Sequence, residues 1–559
     1  MTEAAEPLFS RSEIAEYAGV KRPAVTNWER RHSDYPRPVA VEGSELFRGQ
    51  EVAAWLSTRV IPVRSLLPGE AAGTTYGDRF RRSVQLPAID DRAGTATHGH
   101  DAAQSAQMAH ALLGAPFEPW RQTGRASEYL QILLILVFVR GLMPEEWRAS
   151  YQEARWDRNW FHQFSRLLPE EARPVGDSLL MRLDDQLSES DLRALDHAEW
   201  IINSLDSRAQ AAALFEHLLL VTAEREGPRS SELVTPPSLR RLMVELATDQ
   251  STPTKVYDPY CRSGELLTEF ARARTRLTPT YEAVVSTPIQ YHQFVTALNL
   301  GLHDVPFKSR LDHDLPAPPA AAARRMYDLV LSNPPFSMRA RYGTGFDQYD
   351  WPFGAPPRHN ADLGWLQHVV ESLAPGGRAV VVMANGAAFR RGREKDIRGR
   401  LLEAGAVDAV IALPRNLFSS TGVAVSLWLL RCPNDDRTTD VFFLDAHDAG
   451  SMVTRTLRAL TDADITDVIS EYRSWRRAPR GFEGRRTATW SSGKATFAEL
   501  RDNDFVLEPT RYVRPSDDKI PDRESVLTDI GQLYERLRRL HGQAQDVDEQ
   551  VKQLLNGMT

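Results

Sequence analysis

The string Ser332-Asn333-Pro334-Pro335-Phe336 follows the apolar run Tyr327–Leu331. An amide, two prolines and an aromatic in this order suit chemistry on a nucleobase amine. The prolines restrict the turn and fix the Asn333 side chain. The Asn333 carbonyl oxygen and the backbone carbonyl after it can accept hydrogen bonds from an exocyclic NH₂. Such bonds draw the nitrogen toward tetrahedral geometry and free its lone pair to attack a methyl group. Phe336 offers a ring face for stacking on an extruded base. A proline-stiffened turn with no chemistry is the competing reading of these five residues alone.

Two upstream segments add to it. Tyr257-Asp258-Pro259-Tyr260-Cys261-Arg262-Ser263-Gly264 also follows a strand-like run. An acid, a Gly/Ser turn and a helix starting at Glu265 describe a nucleotide-type pocket at the first strand of an open α/β sheet. Thr235-Pro236 precedes a helical segment, Ser238–Leu246.

The elements that position these residues are legible as a rhythm. Apolar runs at 255–257, 283–286, 328–332, 379–383 and 408–412 alternate with helical segments such as 363–373 and 394–403. That alternation predicts a parallel sheet with helices on both faces, an α/β fold. Trp428 and its neighbours add a strand, closing a catalytic domain over 231–435; 436–520 reads as a mixed appendage. Residues 106–230 read as a helical domain and 62–105, rich in Gly, Pro, Thr and His, as a linker. Residues 1–61 follow a winged helix-turn-helix plan. Ser10 and Glu13 have capping-box spacing, Gly19 suits the turn, Arg22–Arg31 forms the second helix, and Glu42-Gly43 forms a hairpin before a third helix, 51–56. In the tail, 521–559, Ile530, Leu533, Leu537, Leu540, Ala544, Val547, Val551 and Leu554 recur at alternating spacings of three and four, the pattern of a coiled-coil helix seeking a partner.

The ordered set Thr-Pro, Asp-Pro-x-Cys-x-Ser-Gly, Asn-Pro-Pro-Phe resembles N6-adenine DNA methyltransferases, specifically the methylation subunit of type I restriction-modification systems. Ala361–His368, Leu373–Arg378, Glu394–Arg398, Ile411–Phe418 with Thr421-Gly422, and Asn503–Val513 look like that family's further blocks, so the resemblance spans about residues 107–515. It implies a Rossmann-like sheet that uses S-adenosylmethionine to methylate adenine N6 in double-stranded DNA, in a restriction or phage-defence system. Asn333 would be the central catalytic residue, Pro334 and Pro335 would shape its loop, and Phe336 would stack on the adenine. Asp258, Pro259, Cys261, Ser263 and Gly264 would lie along the methionine part of the cofactor, with Thr235 and Pro236 in the same pocket. Asp312 or Asp314 would meet the cofactor adenine. Such subunits depend on a specificity subunit, which the coiled tail would dock unless it binds a second copy of this chain. Val20–Arg31 resembles the recognition helix of excisionase-like or MerR-like domains, so Lys21, Arg22, Asn27, Arg30 and Arg31 are candidate DNA contacts.

Three positions depart from the family pattern. Arg262 stands where glycine is usual, adding bulk and, at positive φ, strain of about a kcal/mol or more. Val285 falls where the second strand usually ends in an acid for the ribose hydroxyls, leaving Ser286 or Thr287 as weaker substitutes. Val234 replaces the aromatic before Thr-Pro. These departures define the rival reading, a catalytically degenerate DNA-binding scaffold or regulator.

Composition bounds the rest. The chain has 559 residues, 42% hydrophobic and 26% charged, which excludes a collagen, a mucin and a wholly disordered chain. Its length suggests three or four domains at roughly 150 residues each. A formal net charge of −7 argues against binding polyanions through overall charge and leaves local basic patches. Cys261 and Cys432, far apart, make a disulfide scaffold implausible. With no signal pattern in residues 1–20, a cytoplasmic protein is expected. His98, His100, His292 and His303 show no metal-ligand spacing, and no metal is expected.

Overall fold

The computed structural model describes residues 8–32, 35–41, 44–48, isolated positions between 52 and 80, 97–150, 156, 158–183, 187–226, 234–248, 253–274, 281–312, 316–320, 323–339, 349–419, 422–433, 440–479, 481–513 and isolated positions between 531 and 542.

The amino-terminal module begins with β1 (Leu8–Phe9) and α1 (Arg11–Tyr17). Ser10 and Glu13 form the reciprocal capping box: the Ser10 hydroxyl accepts from the Glu13 amide, and the Glu13 carboxylate accepts from the Ser10 amide at 2.6 Å. Gly19 turns the chain at φ +65° with the Arg79 side chain packed where a Cβ would sit, so a larger residue would be strained there and would have to displace Arg79. Helix α2 (Arg22–Arg31) follows, then β2 (Val39–Val41) and β3 (Ser44–Arg48) pair as an antiparallel hairpin closing at Val41 and Ser44.

This module is not set apart by a loose linker. Phe80 and Arg79 are buried within the expected 62–105 linker, and a helix starts at Thr97. Phe9 meets Phe80 at 5.5 Å between ring centroids, and the rings of Tyr17 and His197 stack at 5.8 Å. Module and helical region therefore share one hydrophobic core. Its spine is the helix Ala126–Leu142, buried continuously from Tyr129 to Val139. Each such Leu, Ile, Val or Phe contributes roughly 1.5–3 kcal/mol on leaving water. Among the described residues no helix is long and apolar enough to cross a membrane.

Among the described residues the main sheet contains nine strands: β4 (Lys255–Asp258), β5 (Glu282–Thr287), β6 (Phe307–Leu311), β7 (Tyr327–Ser332), β8 (Leu373–Ala384), β9 (Val407–Ala412), β10 (Val425–Arg431), β11 (Val441–Asp445) and β14 (Ser491–Ala495). Their spatial order is β14-β11-β9-β10-β8-β7-β4-β5-β6. Strands β4 to β8 run parallel, β10 is antiparallel to both β8 and β9, and β14 is antiparallel to β11. Strands β12 (Ser451–Met452) and β13 (Arg458–Ala459) form a separate small pair. Helices cover both faces over two apolar cores, as the run-and-helix rhythm predicts. The expected break at 435 is not a break in the sheet, because β11 pairs parallel with β9 and brings β14 with it. The closing segment is tied in as well: Arg398 donates to the Phe505 carbonyl at 2.8 Å, and the Leu507 amide donates to Ala388 at 2.8 Å.

The chain runs outward from β4 to β5 and β6, then returns to lay β7 and β8 on the other side of β4. The point between β4 and β7 is the topological switch of the sheet, where open α/β folds hold ligands at the strands' carboxyl ends. The Asp258 and Asn333 segments leave the sheet at this point.

Of the coiled-coil positions only Leu537 is described; it is helical and exposed. The other seven lie outside the described residues.

Candidate active site

Asn333 follows β7 directly and is 3% exposed. Its side-chain amide donates from Nδ2 to Thr235 Oγ1 at 3.1 Å. Thr235, fully buried ahead of the helix Pro237–Ala247, donates through its hydroxyl to Glu265 Oε1 at 2.6 Å and through its backbone amide to the same oxygen at 3.2 Å. The other Glu265 oxygen accepts from Ser263 Oγ at 2.6 Å. Asn299 then holds the Ser263 carbonyl from Nδ2 at 2.7 Å. Thr-Pro, the loop after β4 and the Asn-Pro-Pro-Phe loop, far apart in sequence, thus form one buried hydrogen-bonded assembly.

Asp258 ends β4, and its Oδ1 accepts from the Tyr260 amide at 3.1 Å. Burial, with the negative charge of Glu265 adding to it, pushes the Asp258 carboxyl up to about 8. Burial and the neighbouring Asp258 and Glu265 charges likewise push the Cys261 thiol well up. Cys261 is a packed, inert thiol whose amide ties the loop to the Ser286 carbonyl at 2.9 Å. Gly264 takes φ +77° against Leu300 and opens the helix Glu265–Arg274.

The structure corrects the expectation for Arg262. It is not among the described non-glycine residues with positive φ, so the predicted strain does not arise there. Its buried guanidinium donates from Nη2 to the Asn333 backbone carbonyl at 2.9 Å and spans the two loops. Val285 stands opposite Asp258 in the parallel register, fully buried among apolar side chains. The Ser286 hydroxyl is engaged by Tyr257 at 3.0 Å, and Thr287 Oγ1 lies 3.5 Å from the Arg310 carbonyl. Neither replaces an acid.

Phe336 is half-buried and held edge-on to Phe418, ring centroids 5.7 Å apart. Beyond it, Asp362 accepts from the Ser337 amide at 2.7 Å and from Arg390 at 2.8 Å, fixing the far end of the loop. Asp312 extends β6, its amide bonded to Thr287, and its charge reaches Tyr257 and His368. Asp314 lies outside the described residues. Sequence reasoning gave Glu265, Asn299 and Asp362 no role in the site. Their part in it rests on partners distant in sequence, Thr235, Ser263 and Arg390.

The donor set fits the methionine end of S-adenosylmethionine. Asp258 is a buried acid whose carboxyl is pushed up by burial, and the buried Ser332 hydroxyl has no partner. An α-ammonium group supplies what the acid needs.

Comparison with known proteins agrees with the geometry. The N-6 DNA methylase family profile matches residues 207–520, more than half of the chain. The type I restriction enzyme HindI methylase subunit of Haemophilus influenzae is 29% identical over 62% of this chain and 77% of its own length. The MpnII methylase subunit of Mycoplasma pneumoniae is 25% identical over 68% of this chain and 70% of its own. Among solved structures, the type I restriction-modification methyltransferase subunit of Streptococcus thermophilus superposes with a TM-score of 0.56 at 22% identity, covering 74% of this chain and 94% of that one. That likeness bears on the fold alone. The β4–β7 switch point, the Asn-Pro-Pro-Phe loop placed there and the family match over both put this chain in the N-6 DNA methylase family.

Proposed function

We propose that this protein methylates adenine N6 in double-stranded DNA with S-adenosylmethionine, as the modification subunit of a type I restriction-modification system working with a specificity subunit. The observation that carries the reading is the Asn333 amide, buried at the switch point with its nitrogen committed to Thr235. Its Oδ1 is left to accept from the adenine amine, with the backbone carbonyl of Pro334 as second acceptor. S-adenosylmethionine supplies an electrophilic methyl group on sulfur. Asp258 would take the cofactor's ammonium group, with Pro259, Cys261, Ser263, Gly264, Thr235 and Pro236 shaping the pocket around it. Asp312 or Asp314 would meet the cofactor adenine. Phe336 receives the face of the extruded base, whose unstacking costs a few kcal/mol. With the cofactor bound, its sulfur–methyl bond would break as the amine nitrogen takes the methyl group, leaving a neutral thioether, and the amine proton beside Asn333 Oδ1 would pass to water.

The α2 face adds DNA contacts. Lys21, Arg22, Asn27 and Arg30 are exposed, while Val25 is buried and Arg11 is tied to Glu29 and Glu45. The Arg31 side chain lies outside the described residues. The two cysteines are free and buried, which suits a cytoplasmic protein.

One observation favours a second reading, a non-catalytic scaffold: the buried apolar Val285 of β5, opposite Asp258, stands where an acid would hold the ribose. Methyl transfer to DNA, assayed with the specificity subunit present beside an Asn333→Ala control, separates the two. Transfer lost in the control supports the enzyme; no transfer by the parent protein and no heat on titrating the cofactor support the scaffold.

A further inference from the structure

We infer that Thr235 and Glu265 are positioning residues that set which way the Asn333 amide faces. This rests on the proposed methyl transfer and adds a device to it. The two ends of a side-chain amide are nearly the same shape, and only hydrogen bonding decides which atom points where. Here the decision starts at Glu265. Its Oε1 receives two protons from Thr235, one from the backbone amide at 3.2 Å and one from the hydroxyl at 2.6 Å. A hydroxyl has a single proton. Once that proton is given to Glu265, Thr235 Oγ1 faces Asn333 only with lone pairs. The group it meets at 3.1 Å must be a donor, so Nδ2 turns to Thr235 and Oδ1 turns away. A flipped amide would set two acceptor oxygens against each other in a site from which water is excluded.

The relay is locked from outside. Ser263 holds the second Glu265 oxygen at 2.6 Å, and Asn299 holds the Ser263 carbonyl at 2.7 Å. Arg262 pins the Asn333 backbone carbonyl at 2.9 Å, so the side chain is oriented on a fixed main chain. Thr235, Ser263, Glu265 and Asn333 are each at most 4% exposed. A preorganised acceptor of this kind costs no reorganisation when the amine begins to lose its proton, and its effect falls on the chemical step.

The test measures kcat and KM of the full chain with its specificity subunit for Thr235→Val, Thr235→Ser, Glu265→Gln and the double variant Thr235→Val/Glu265→Gln. Valine keeps the shape of threonine and removes the acceptor. Thr235→Val is expected to lower kcat about 10- to 100-fold, with a smaller change in KM for DNA. Thr235→Ser, which retains the hydroxyl, should recover most of that loss. Glu265→Gln can keep its carbonyl oxygen on Thr235 while its NH₂ turns to the Ser263 hydroxyl, and so lowers kcat by a lesser factor. The double variant should be no slower than Thr235→Val alone, because a relay already broken at threonine has nothing more to lose. Independent structural roles would multiply instead. A Thr235→Val enzyme within twofold of the parent in kcat, or multiplied losses in the double variant, overturns the inference. Should Thr235→Val fail to fold, Glu265→Gln and Thr235→Ser carry the comparison. A parent enzyme that transfers no methyl group at all would instead refute the proposed activity.

Discussion

The Arg262 guanidinium donates to the backbone carbonyl of Asn333 at 2.9 Å. The largest departure from the family pattern thus holds the residue proposed to do the chemistry. The same cation lies close enough to Asp258 to oppose the rise in its pKa. Arg262→Ala should leave a buried carbonyl unpaired and destabilise the protein by about 1–3 kcal/mol, read from urea unfolding. Methyl transfer should slow with it. Arg262→Lys keeps the charge without the planar fork and should restore only part of both. Full activity in Arg262→Ala would show that the bridge is not needed.

Asp258 gives a pH dependence with a defined sign. An aspartate titrates near 3.9 when unfolded, and burial raises the Asp258 carboxyl to about 8 in the fold. The folded state therefore holds the proton more tightly. The stability it contributes is complete below about pH 4 and is lost as the pH rises through 8. Urea midpoints of the cofactor-free protein at pH 6 and pH 9 should differ more for the parent than for Asp258→Asn. Cofactor affinity should move oppositely, strengthening toward pH 8 as the carboxylate forms.

Asp362 joins the far end of the Asn-Pro-Pro-Phe loop to Arg390. Asp362→Ala removes the acceptor of the Ser337 amide and leaves Arg390 facing the Glu394 carboxylate alone. A loss of about 1–3 kcal/mol in stability and a drop in kcat are expected, measured by unfolding and by single-turnover methylation.

His197 links the amino-terminal module to the helical core, with its Nε2 at 3.2 Å from the Tyr17 hydroxyl. Burial lowers its pKa to about 4, against roughly 6.5 unfolded. Its contribution is present above pH 6.5 and lost as the pH falls toward 4. Acid unfolding followed by tryptophan fluorescence should shift to lower pH in His197→Gln, which cannot take up the proton.

The α2 face is tested by salt. Arg22→Ala with Arg30→Ala should weaken DNA binding and reduce the slope of log affinity against log salt by up to about 2, one unit for each phosphate no longer neutralised. An unchanged slope would assign that face to something other than DNA.

Local patterns in the chain were enough to place the elements and to name the class of chemistry. Hydrophobic rhythm placed β4, β5, β7, β8 and β9 and the helices between them, because burial on both faces demands continuous apolar strands. The capping box at Ser10 and the turn at Gly19 depend on near neighbours, so they were legible there. Asn333 to Phe336 could be read for the same reason, since proline and amide chemistry acts through adjacent residues. What the polar residues do was settled by the folded arrangement. Glu265 reads as a helix start until Thr235, thirty residues upstream, is seen to donate to it. Arg262 reads as a clash until its guanidinium is seen to reach a carbonyl 71 residues away. Strands β11 and β14 read as an appendage until β11 pairs with β9. Each depends on a meeting of distant segments, and hydrogen-bond partners across such distances are set by how the sheet assembles, not by any local pattern of residues.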